Sequence, residues 1–219
     1  MTSYPVYAAL WDMDGVLVDT APFHFQVWSK ILEPLKISFS WERFISVFGM
    51  DNQQTLTILL GDHATPDLIR EIGTRKEMEF RRAIRGNAKL MPGVLTWLEE
   101  LSLRGVLQAI ASSASPANVD ALVDELGIRA HFQAIVSGAG LAGKPDPAIF
   151  LKAAQLLGLS PPWCVVIEDS ISGLRAARRA GMRCIAITST NPAHVLAEAN
   201  LIVSGFENIP VDLFFSLLQ

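Results

Sequence analysis

The sequence predicts an α/β fold: a mostly parallel, Rossmann-like sheet with helices on both faces, and an all-α cap domain inserted early in the chain. From Pro92 onward, apolar runs rich in β-forming residues alternate with segments of helical spacing. Such alternation is typical of parallel strands joined by right-handed crossovers. Between Thr20 and Lys89, by contrast, apolar residues recur at helical spacing and no strand-like run interrupts them.

Six apolar runs form the predicted sheet, and they cover residues 6–11, 106–111, 133–136, 164–167, 183–187 and 201–203. Helices are predicted between them at residues 94–103, 116–126, 147–157 and 171–180, with a short helix from Ala193 and an apolar helix at the end of the chain. Cys164 and Cys184 lie beside strand-like runs and lack a Cys-x-x-Cys spacing. We therefore expect them to be reduced thiols of the core.

The helical block between the first two strands has the pattern of an inserted cap. Its first helix begins near Pro22, a residue suited to a helix start, and Phe23, Val27 and Ile31 recur at helical spacing. Further helices are predicted at residues 41–48, 52–60 and 66–85, with hinges near residues 19–20 and 86–87. We therefore expect a catalytic core of residues 1–19 and 88–219 and a helical cap of residues 20–87.

Length and composition favour a globular protein that acts on a small molecule. Half of the 219 residues are hydrophobic, which is enough for a sizeable core. The formal net charge of -4 supplies no basic surface of the kind that binds nucleic acids. No apolar run approaches a membrane span, and the first five residues do not resemble a secretory signal. We expect a cytoplasmic protein without nucleic-acid or membrane partners; no pattern in the sequence indicates an oligomeric state.

Polar clusters follow four of the predicted strands, where parallel strands would bring them to one edge of the sheet. These clusters are Asp12 with Asp14, Ser112 with Ser113, Lys144, and Glu168 with Asp169. Carboxylates gathered at one point repel each other unless a cation lies among them, and oxygen ligands favour Mg²⁺. An aspartate nucleophile, a magnesium ion and a lysine together predict phosphoryl transfer through an aspartyl phosphate. Taken alone, Ser112 would be a helix cap and Lys144 a loop residue.

The run Asp-x-Asp-Gly-Val-Leu-x-Asp that begins at Asp12 resembles the first motif of the haloacid dehalogenase superfamily of phosphotransferases. The resemblance implies that Asp12 attacks phosphorus and also binds Mg²⁺, and that Asp14 is the general acid and base. We include Asp14 among the expected metal-site residues. Dehalogenases and phosphonatases of this superfamily lack the second aspartate, because only a phosphate ester needs a proton delivered to its leaving group.

Later segments resemble the remaining motifs of the superfamily in the expected order. Ser112 matches the hydroxyl residue of the second motif, and the neighbouring Ser113 is expected to bind substrate with it. Lys144, in Gly-Lys-Pro-Asp-Pro, matches the lysine of the third motif. Glu168 and Asp169 match the acids of the fourth motif, which in the family lie at the Mg²⁺ site.

The inserted block resembles the cap of the β-phosphoglucomutase-like subfamily. Thr20 and His24 match residues beside the active site of the mutase, Gly49 matches its specificity loop, and Lys76 matches a lysine that meets substrate phosphate. By itself, His24 could equally be a structural histidine. The mutase carries an arginine at the position of Asn52, and asparagine cannot give a phosphate dianion the same charged, bidentate grip.

These observations predict a Mg²⁺-dependent phosphatase that hydrolyses small phosphomonoesters, most simply sugar or polyol phosphates, through an aspartyl phosphate. Two alternatives remain open at this point. The first is a sugar phosphomutase of the β-phosphoglucomutase type, which Asn52 disfavours. The second is a non-catalytic protein that binds a phosphorylated metabolite, which has no need of both a nucleophile at Asp12 and a proton donor at Asp14.

Overall fold

A computed structural model describes residues 6–218, and the chain divides into two compact units. One unit combines the chain up to Asp19 with the chain from Lys89 onward, and the other is formed by Thr20–Ala88. Ala88, expected in the core, belongs to the second unit. Within the described residues, no helix is long and apolar enough to cross a membrane.

The unit formed by residues 20–88 is entirely helical. After strand β1 (Ala8–Trp11) the chain forms four helices, which are α1 (Ala21–Leu32), α2 (Trp41–Val47), α3 (Asn52–Leu60) and α4 (Pro66–Ile84). The side chains of Ser40, Asp51 and Thr65 accept backbone hydrogen bonds at the starts of α2, α3 and α4, which supplies partners to N–H groups that have none inside a helix. Buried apolar side chains of all four helices, among them Trp28 and Phe44, pack into one core.

The other unit contains a six-stranded parallel sheet, so the predicted α/β fold class is confirmed. Its later strands are β2 (Leu107–Ser112), β3 (Ala134–Ser137), β4 (Cys164–Glu168), β5 (Arg183–Ile187) and β6 (Leu201–Val203). Its helices are α5 (Val94–Leu103), α6 (Pro116–Leu126), α7 (Ala148–Leu157), α8 (Ile171–Arg179) and α9 (Asp212–Ser216). The residues predicted to form a helix from Ala193 form a 3₁₀ turn at Ala193–Leu196.

The order of the strands across the sheet is β3-β2-β1-β4-β5-β6. Every residue of β1 and β4 is buried, as expected for central parallel strands covered by helices on both faces. The chain passes from β1 to β2 on one side and later crosses to β4 on the other side of β1. This reversal leaves a crevice at the carboxyl ends of β1 and β4, which is where open α/β sheets bind their ligands.

Candidate active site

The carboxyl ends of the central strands deliver the acidic residues to one place. Asp12 directly follows β1, and Glu168 is the last residue of β4. The parallel register pairs Trp11 with Ile167, so Asp12 and Glu168 lie at the same level of the sheet. The backbone N–H of Asp12 donates to the carbonyl of Ile167 at 2.9 Å, which extends the ladder to the first catalytic candidate.

Lys144 joins the two carboxylates. Its Nζ donates to Oδ1 of Asp12 at 2.7 Å and to Oε1 of Glu168 at 2.5 Å, and all three side chains are at most 10% exposed. Burial alone would lower the pKa of Lys144, but the charges of Asp12 and Glu168 hold the pKa above its ordinary value. The lysine is therefore a permanent cation between two acids.

The second oxygen of Glu168 is held by the start of helix α8. Its Oε2 accepts from the backbone N–H of Asp169 at 2.9 Å, from the N–H of Ser170 at 2.8 Å and from Oγ of Ser170 at 2.9 Å. Gly173 provides the space, because a Cβ there would lie 1.7 Å from Oε1 of Glu168. With Lys144, four hydrogen bonds hold this carboxylate in one orientation.

Asp169 is held by the loop that follows β5. The hydroxyl of Thr190 donates to Oδ2 of Asp169, and that of Ser189 lies 3.5 Å from the same oxygen. The side-chain amide of Asn191 donates to the carbonyl of Asp169 at 3.0 Å. Sequence reasoning missed these three residues, although the rule that found the other clusters would have found them: they are polar and follow a strand.

Gly15 lets the loop after β1 approach Asp169. Its φ of 78° lies in the region that favours glycine, and a Cβ there would lie 2.0 Å from Oδ2 of Asp169. The carbonyl of Gly15 accepts from Oγ of Ser189 at 2.5 Å. Any larger residue at position 15 would displace Asp169 or the loop around Ser189.

The acidic cluster holds more negative charge than its one lysine balances. Burial raises the pKa of Asp12 well above its ordinary value, and Glu168, Asp169 and Asp14 add to the rise against the opposing effect of Lys144. Burial and the charge of Glu168 raise the pKa of Asp169 to about 7. Without a cation, the site therefore binds protons that free carboxylates would release at neutral pH.

The donor set fits a magnesium ion. One carboxylate oxygen each from Asp12, Glu168 and Asp169 lie within 4.8 Å of one another. These three residues therefore form a group that could hold one metal ion, and oxygen ligands suit Mg²⁺. The side chain of Asp14 is partly exposed and is not a member of this group, so its expected place at the metal stays a prediction.

The two predicted serines have different environments. Ser112 ends β2 and is fully buried, and its Oγ accepts from the N–H of Ala114 at 3.1 Å. Because Trp11 pairs with Ile110, Ser112 lies within one residue of the level of Asp12 on the neighbouring strand. Ser113 is exposed.

Two of the predicted cap residues meet at a glutamate that sequence reasoning missed. Oε1 of Glu77 accepts from Nδ2 of Asn52 at 2.7 Å and from Nζ of Lys76 at 2.9 Å. Lys76 is buried, and its Nζ lies 5.7 Å from the ring centroid of Trp28 and 5.5 Å from that of Phe80. We call Asn52, Lys76 and Glu77 the cap cluster.

His24 packs beside the cap cluster. Its ring stacks on Phe80 with centroids 4.1 Å apart and an angle of 4° between the planes. Burial and the nearby charge of Lys76 lower the pKa of His24 well below its ordinary value, so the ring is neutral at physiological pH.

The remaining predicted cap residues lie on the adjacent chain segments. Thr20 is fully buried, and its carbonyl accepts from the N–H of His24 at 3.0 Å. Gly49 is exposed with a φ of 86°, next to Phe48, whose ring centroid is 6.2 Å from that of His24. The structure therefore groups Asn52, Lys76 and His24 closely, with Thr20 and Gly49 at the edge of the group.

Comparisons with known proteins identify the family of the chain. The family model for haloacid dehalogenase-like hydrolases matches residues 6–181. The chain is 32% identical over 214 residues to a beta-phosphoglucomutase of Bacillus subtilis, covering 94% of this chain and 92% of that protein. It is 30% identical over 198 residues to a phosphorylated carbohydrates phosphatase of Thermotoga maritima, covering 89% and 92%.

A solved structure is similar over most of the chain. CbbY of Rhodobacter sphaeroides, determined in complex with xylulose-(1,5)bisphosphate, has a TM-score of 0.82 and 26% identity, covering 92% of this chain and 95% of that one. The related proteins are phosphatases and phosphomutases, and aspartyl-phosphate chemistry and Mg²⁺ dependence are general in their family. The predicted resemblance is confirmed: this chain is a phosphate-transferring enzyme of the haloacid dehalogenase-like hydrolase family.

Proposed function

We propose that this protein is a Mg²⁺-dependent phosphatase that hydrolyses phosphate monoesters of small sugars or polyols. The observation that carries the proposal is the buried group of Asp12, Lys144 and Glu168, with Asp169 beside it, at the crevice of the sheet. This group unites a nucleophile, a fixed cation and a site for a metal ion. Phosphoryl transfer needs all three.

For the metal, we assign Asp12 and Asp169 as direct ligands. Glu168 adds negative charge, but its two oxygens already accept four hydrogen bonds, so we assign it mainly to positioning Lys144. When bound, Mg²⁺ neutralises charge on the phosphoryl oxygens and on the carboxylates. The acid cluster then no longer needs protons to relieve its repulsion.

In the first step, Asp12 attacks the phosphorus of the substrate. Lys144 holds Oδ1 of Asp12, and Oδ2 is the oxygen that we assign to the new bond. As the bond from Asp12 to phosphorus forms, the bond from phosphorus to the ester oxygen breaks. Asp14, two residues further along the loop, donates its proton to the departing oxygen, because an alkoxide leaves poorly without an acid.

In the second step, water attacks the phosphorus of the aspartyl phosphate. Asp14, now a carboxylate, accepts a proton from this water, and the bond between phosphorus and Asp12 breaks. Inorganic phosphate leaves, and both aspartates return to their starting states. Lys144 and the Ser112 hydroxyl donate hydrogen bonds to the phosphoryl oxygens in both steps, with Ser113 at the outer edge.

We assign the helical unit of residues 20–88 to recognition of the leaving alcohol, as a cap domain. Thr20, His24, Gly49, Asn52 and Lys76 are the residues proposed to line its binding surface. The relative from Thermotoga maritima is named for phosphorylated carbohydrates, which supports a sugar or polyol phosphate as the substrate class. A cytoplasmic location stays a prediction.

The second candidate is a sugar phosphomutase, which the identity with the beta-phosphoglucomutase of Bacillus subtilis favours. Asn52 in place of a cap arginine disfavours it, because a mutase must keep a bisphosphate bound while it turns over.

A screen of phosphorylated sugars and polyols for Mg²⁺-dependent release of inorganic phosphate tests the proposal, with conversion of β-glucose 1-phosphate to glucose 6-phosphate measured in parallel. We expect release from at least one compound to exceed isomerisation, even with a bisphosphate primer present. Isomerisation faster than every hydrolysis in the screen would replace the phosphatase with the mutase.

A further inference from the structure

Ser189, in the loop after β5, contacts the loop that follows β1. Its Oγ donates to the carbonyl of Gly15 at 2.5 Å and lies 3.5 Å from Oδ2 of Asp169. A serine hydroxyl has one proton to donate, and the shorter distance assigns that proton to Gly15. The neighbouring Thr190 donates its own hydroxyl proton to Asp169. The two residues therefore hold different parts of the site, and Ser189 holds the loop after β1.

The loop after β1 carries Asp14 in a closed turn. The N–H of Gly15 donates to the carbonyl of Val18 at 2.8 Å, and the N–H of Val18 donates to the carbonyl of Met13 at 3.2 Å. Asp14 and Val18 also form an isolated β-bridge. We call residues 13–18 the Asp14 turn. Because these hydrogen bonds close the turn on itself, contacts from other segments decide where Asp14 lies.

Hydrogen bonds from other segments reach the Asp14 turn at both ends. The N–H of Met91 donates to the carbonyl of Leu17 at 2.9 Å, at the end remote from Asp14. Ser189 donates to Gly15, the residue directly after Asp14. Gly15 has a φ of 78° and no Cβ, so its backbone can change conformation more easily than that of any other residue type. The hydroxyl of Ser189 thus fixes the turn at its most permissive point.

We propose that Ser189 is a positioning residue that holds Asp14 where it can deliver a proton to the leaving oxygen of the substrate. This inference rests on the proposed function, in which Asp14 is the general acid. Ser189 acts through the carbonyl of Gly15 and not on the substrate. A general acid must lie within hydrogen-bonding reach of the oxygen that it protonates, and a displacement of about 1 Å can cost on the order of 100-fold in rate.

The role of Ser189 predicts a dependence on the leaving group. An alkyl phosphate releases an alkoxide, which leaves poorly without a proton from Asp14. p-Nitrophenyl phosphate releases a stabilised phenolate, which leaves without one. The ratio kcat/KM covers only the steps up to departure of the alcohol or phenol, so it reports on Asp14 as an acid and not as a base. Damage to the nucleophile or to the fold, by contrast, lowers kcat/KM for both substrates.

The test measures kcat/KM at saturating Mg²⁺ for p-nitrophenyl phosphate and for the best sugar or polyol phosphate of the screen. We expect Ser189→Ala to lower kcat/KM for the alkyl phosphate by about 10- to 100-fold, and that for p-nitrophenyl phosphate by less than about threefold. Asp14→Asn, which lacks the acid itself, should show the same selectivity with a larger loss. Steady-state release of phosphate gives all these values.

Control variants separate the position of Asp14 from a general loss of structure. Ser189→Thr keeps the hydroxyl, and should restore kcat/KM for the alkyl phosphate to within about threefold of the unmodified protein. Ser216→Ala removes a hydroxyl that donates to the carbonyl of Leu213 in α9 at 2.8 Å, and should leave the ratio of the two kcat/KM values within about twofold. A partly unfolded variant loses the same fraction of activity on both substrates, so the ratio stays informative even if Ser189→Ala is less stable.

The inference is overturned if Asp14→Asn discriminates between the two substrates but Ser189→Ala lowers both kcat/KM values equally or lowers neither. Failure of the proposed function has a different signature. It would appear as no Mg²⁺-dependent hydrolysis of any sugar or polyol phosphate by the unmodified protein, or as an Asp14→Asn variant without selectivity between leaving groups. Either of these results would remove the general acid that Ser189 is proposed to position.

Discussion

The charged side chains at the edge of the sheet and those in the cap cluster differ in how their charges are balanced. At the sheet, Asp12, Glu168 and Asp169 surround a single lysine, so the site has an excess of negative charge that a divalent cation can relieve. In the cap cluster, Lys76 forms an ion pair with Glu77. The sheet edge therefore has carboxylates that could hold a metal ion, whereas Lys76 is already ion-paired.

The largest expected effect concerns the nucleophile of the core site. Asp12→Asn should lower turnover by on the order of 10⁴ to 10⁶, because an amide cannot form the acyl phosphate. The fold should persist, because the amide oxygen still accepts from Lys144. Steady-state release of phosphate and circular dichroism check both parts. Substantial residual turnover would remove Asp12 from the mechanism.

Removal of each lysine sharpens the contrast between the two groups. Lys144→Met leaves Asp12 and Glu168 buried and unpaired, and should cost about 3–5 kcal/mol of unfolding free energy without metal. Mg²⁺ should recover part of this loss. Lys76→Met removes the ion pair with Glu77, whose side chain is more exposed than those of Asp12 and Glu168, and should cost less and gain nothing from Mg²⁺. Urea unfolding with EDTA or Mg²⁺ measures both variants; equal costs and equal Mg²⁺ responses would contradict the contrast.

Asp169 and His24 should make the stability of the protein depend on pH with opposite signs. In metal-free protein, the raised pKa of Asp169 means that the folded state holds a proton that the unfolded state has lost between about pH 4 and 7. Stability should therefore fall as pH rises through this window, by at most about 4 kcal/mol. Saturating Mg²⁺ should abolish the fall, and Asp169→Asn should reduce it in the metal-free protein, where the raised pKa of Asp12 still contributes.

His24 should make the stability of the protein fall as pH decreases. Its lowered pKa means that the unfolded state takes up a proton below about pH 6.5 while the folded state does not, so stability falls as pH decreases. Because the ring is partly exposed, we expect about 1 kcal/mol. His24→Gln should flatten the acid side of the curve in thermal melts.

A further prediction tests the loop after β5. Thr190→Val removes the hydroxyl that holds Asp169, and should weaken Mg²⁺ binding about 10- to 100-fold. Thr57→Val, which loses a hydroxyl bound to a carbonyl within α3 of the helical unit, is the matched control. Calorimetry with Mg²⁺ gives both affinities. Equal affinities in Thr190→Val and the unmodified protein would leave the loop without a role at the metal.

The core site could be predicted from the sequence because its residues follow strands, and parallel strands end at one edge. The strands at 183–187 and 201–203 have the predicted bounds, and polar Asn200 and Ser204 flank the second of them. The first strand begins at Ala8, although the apolar run begins at Val6. Val6 is 48% exposed and lies outside the buried strand. Apolarity alone does not show where pairing begins.

Which of the missed residues meet depends on packing between elements, although Ser189, Thr190 and Asn191 also follow a strand as the other clusters do. Thr190 reaches Asp169 because β5 lies beside β4, and strand order is set by the packing of the whole sheet. Glu77 meets Asn52 because α3 and α4 pack together. It also pairs with Lys76, although adjacent residues of a helix point in different directions. Cap residues depend on such packing, so sequence reasoning reached Lys76 and Asn52 only through a resemblance.

The most direct test of the account is to trap the phosphoenzyme. The protein is mixed with its best substrate from the screen, labelled with ³²P in the transferred phosphate, and is quenched in acid within milliseconds. With Mg²⁺, we predict protein-bound label that hydroxylamine releases and that maps to the peptide containing Asp12. The label should be absent with EDTA and in Asp12→Asn. Turnover without any trapped label, or label on another peptide, would contradict the assignment of Asp12 as the nucleophile.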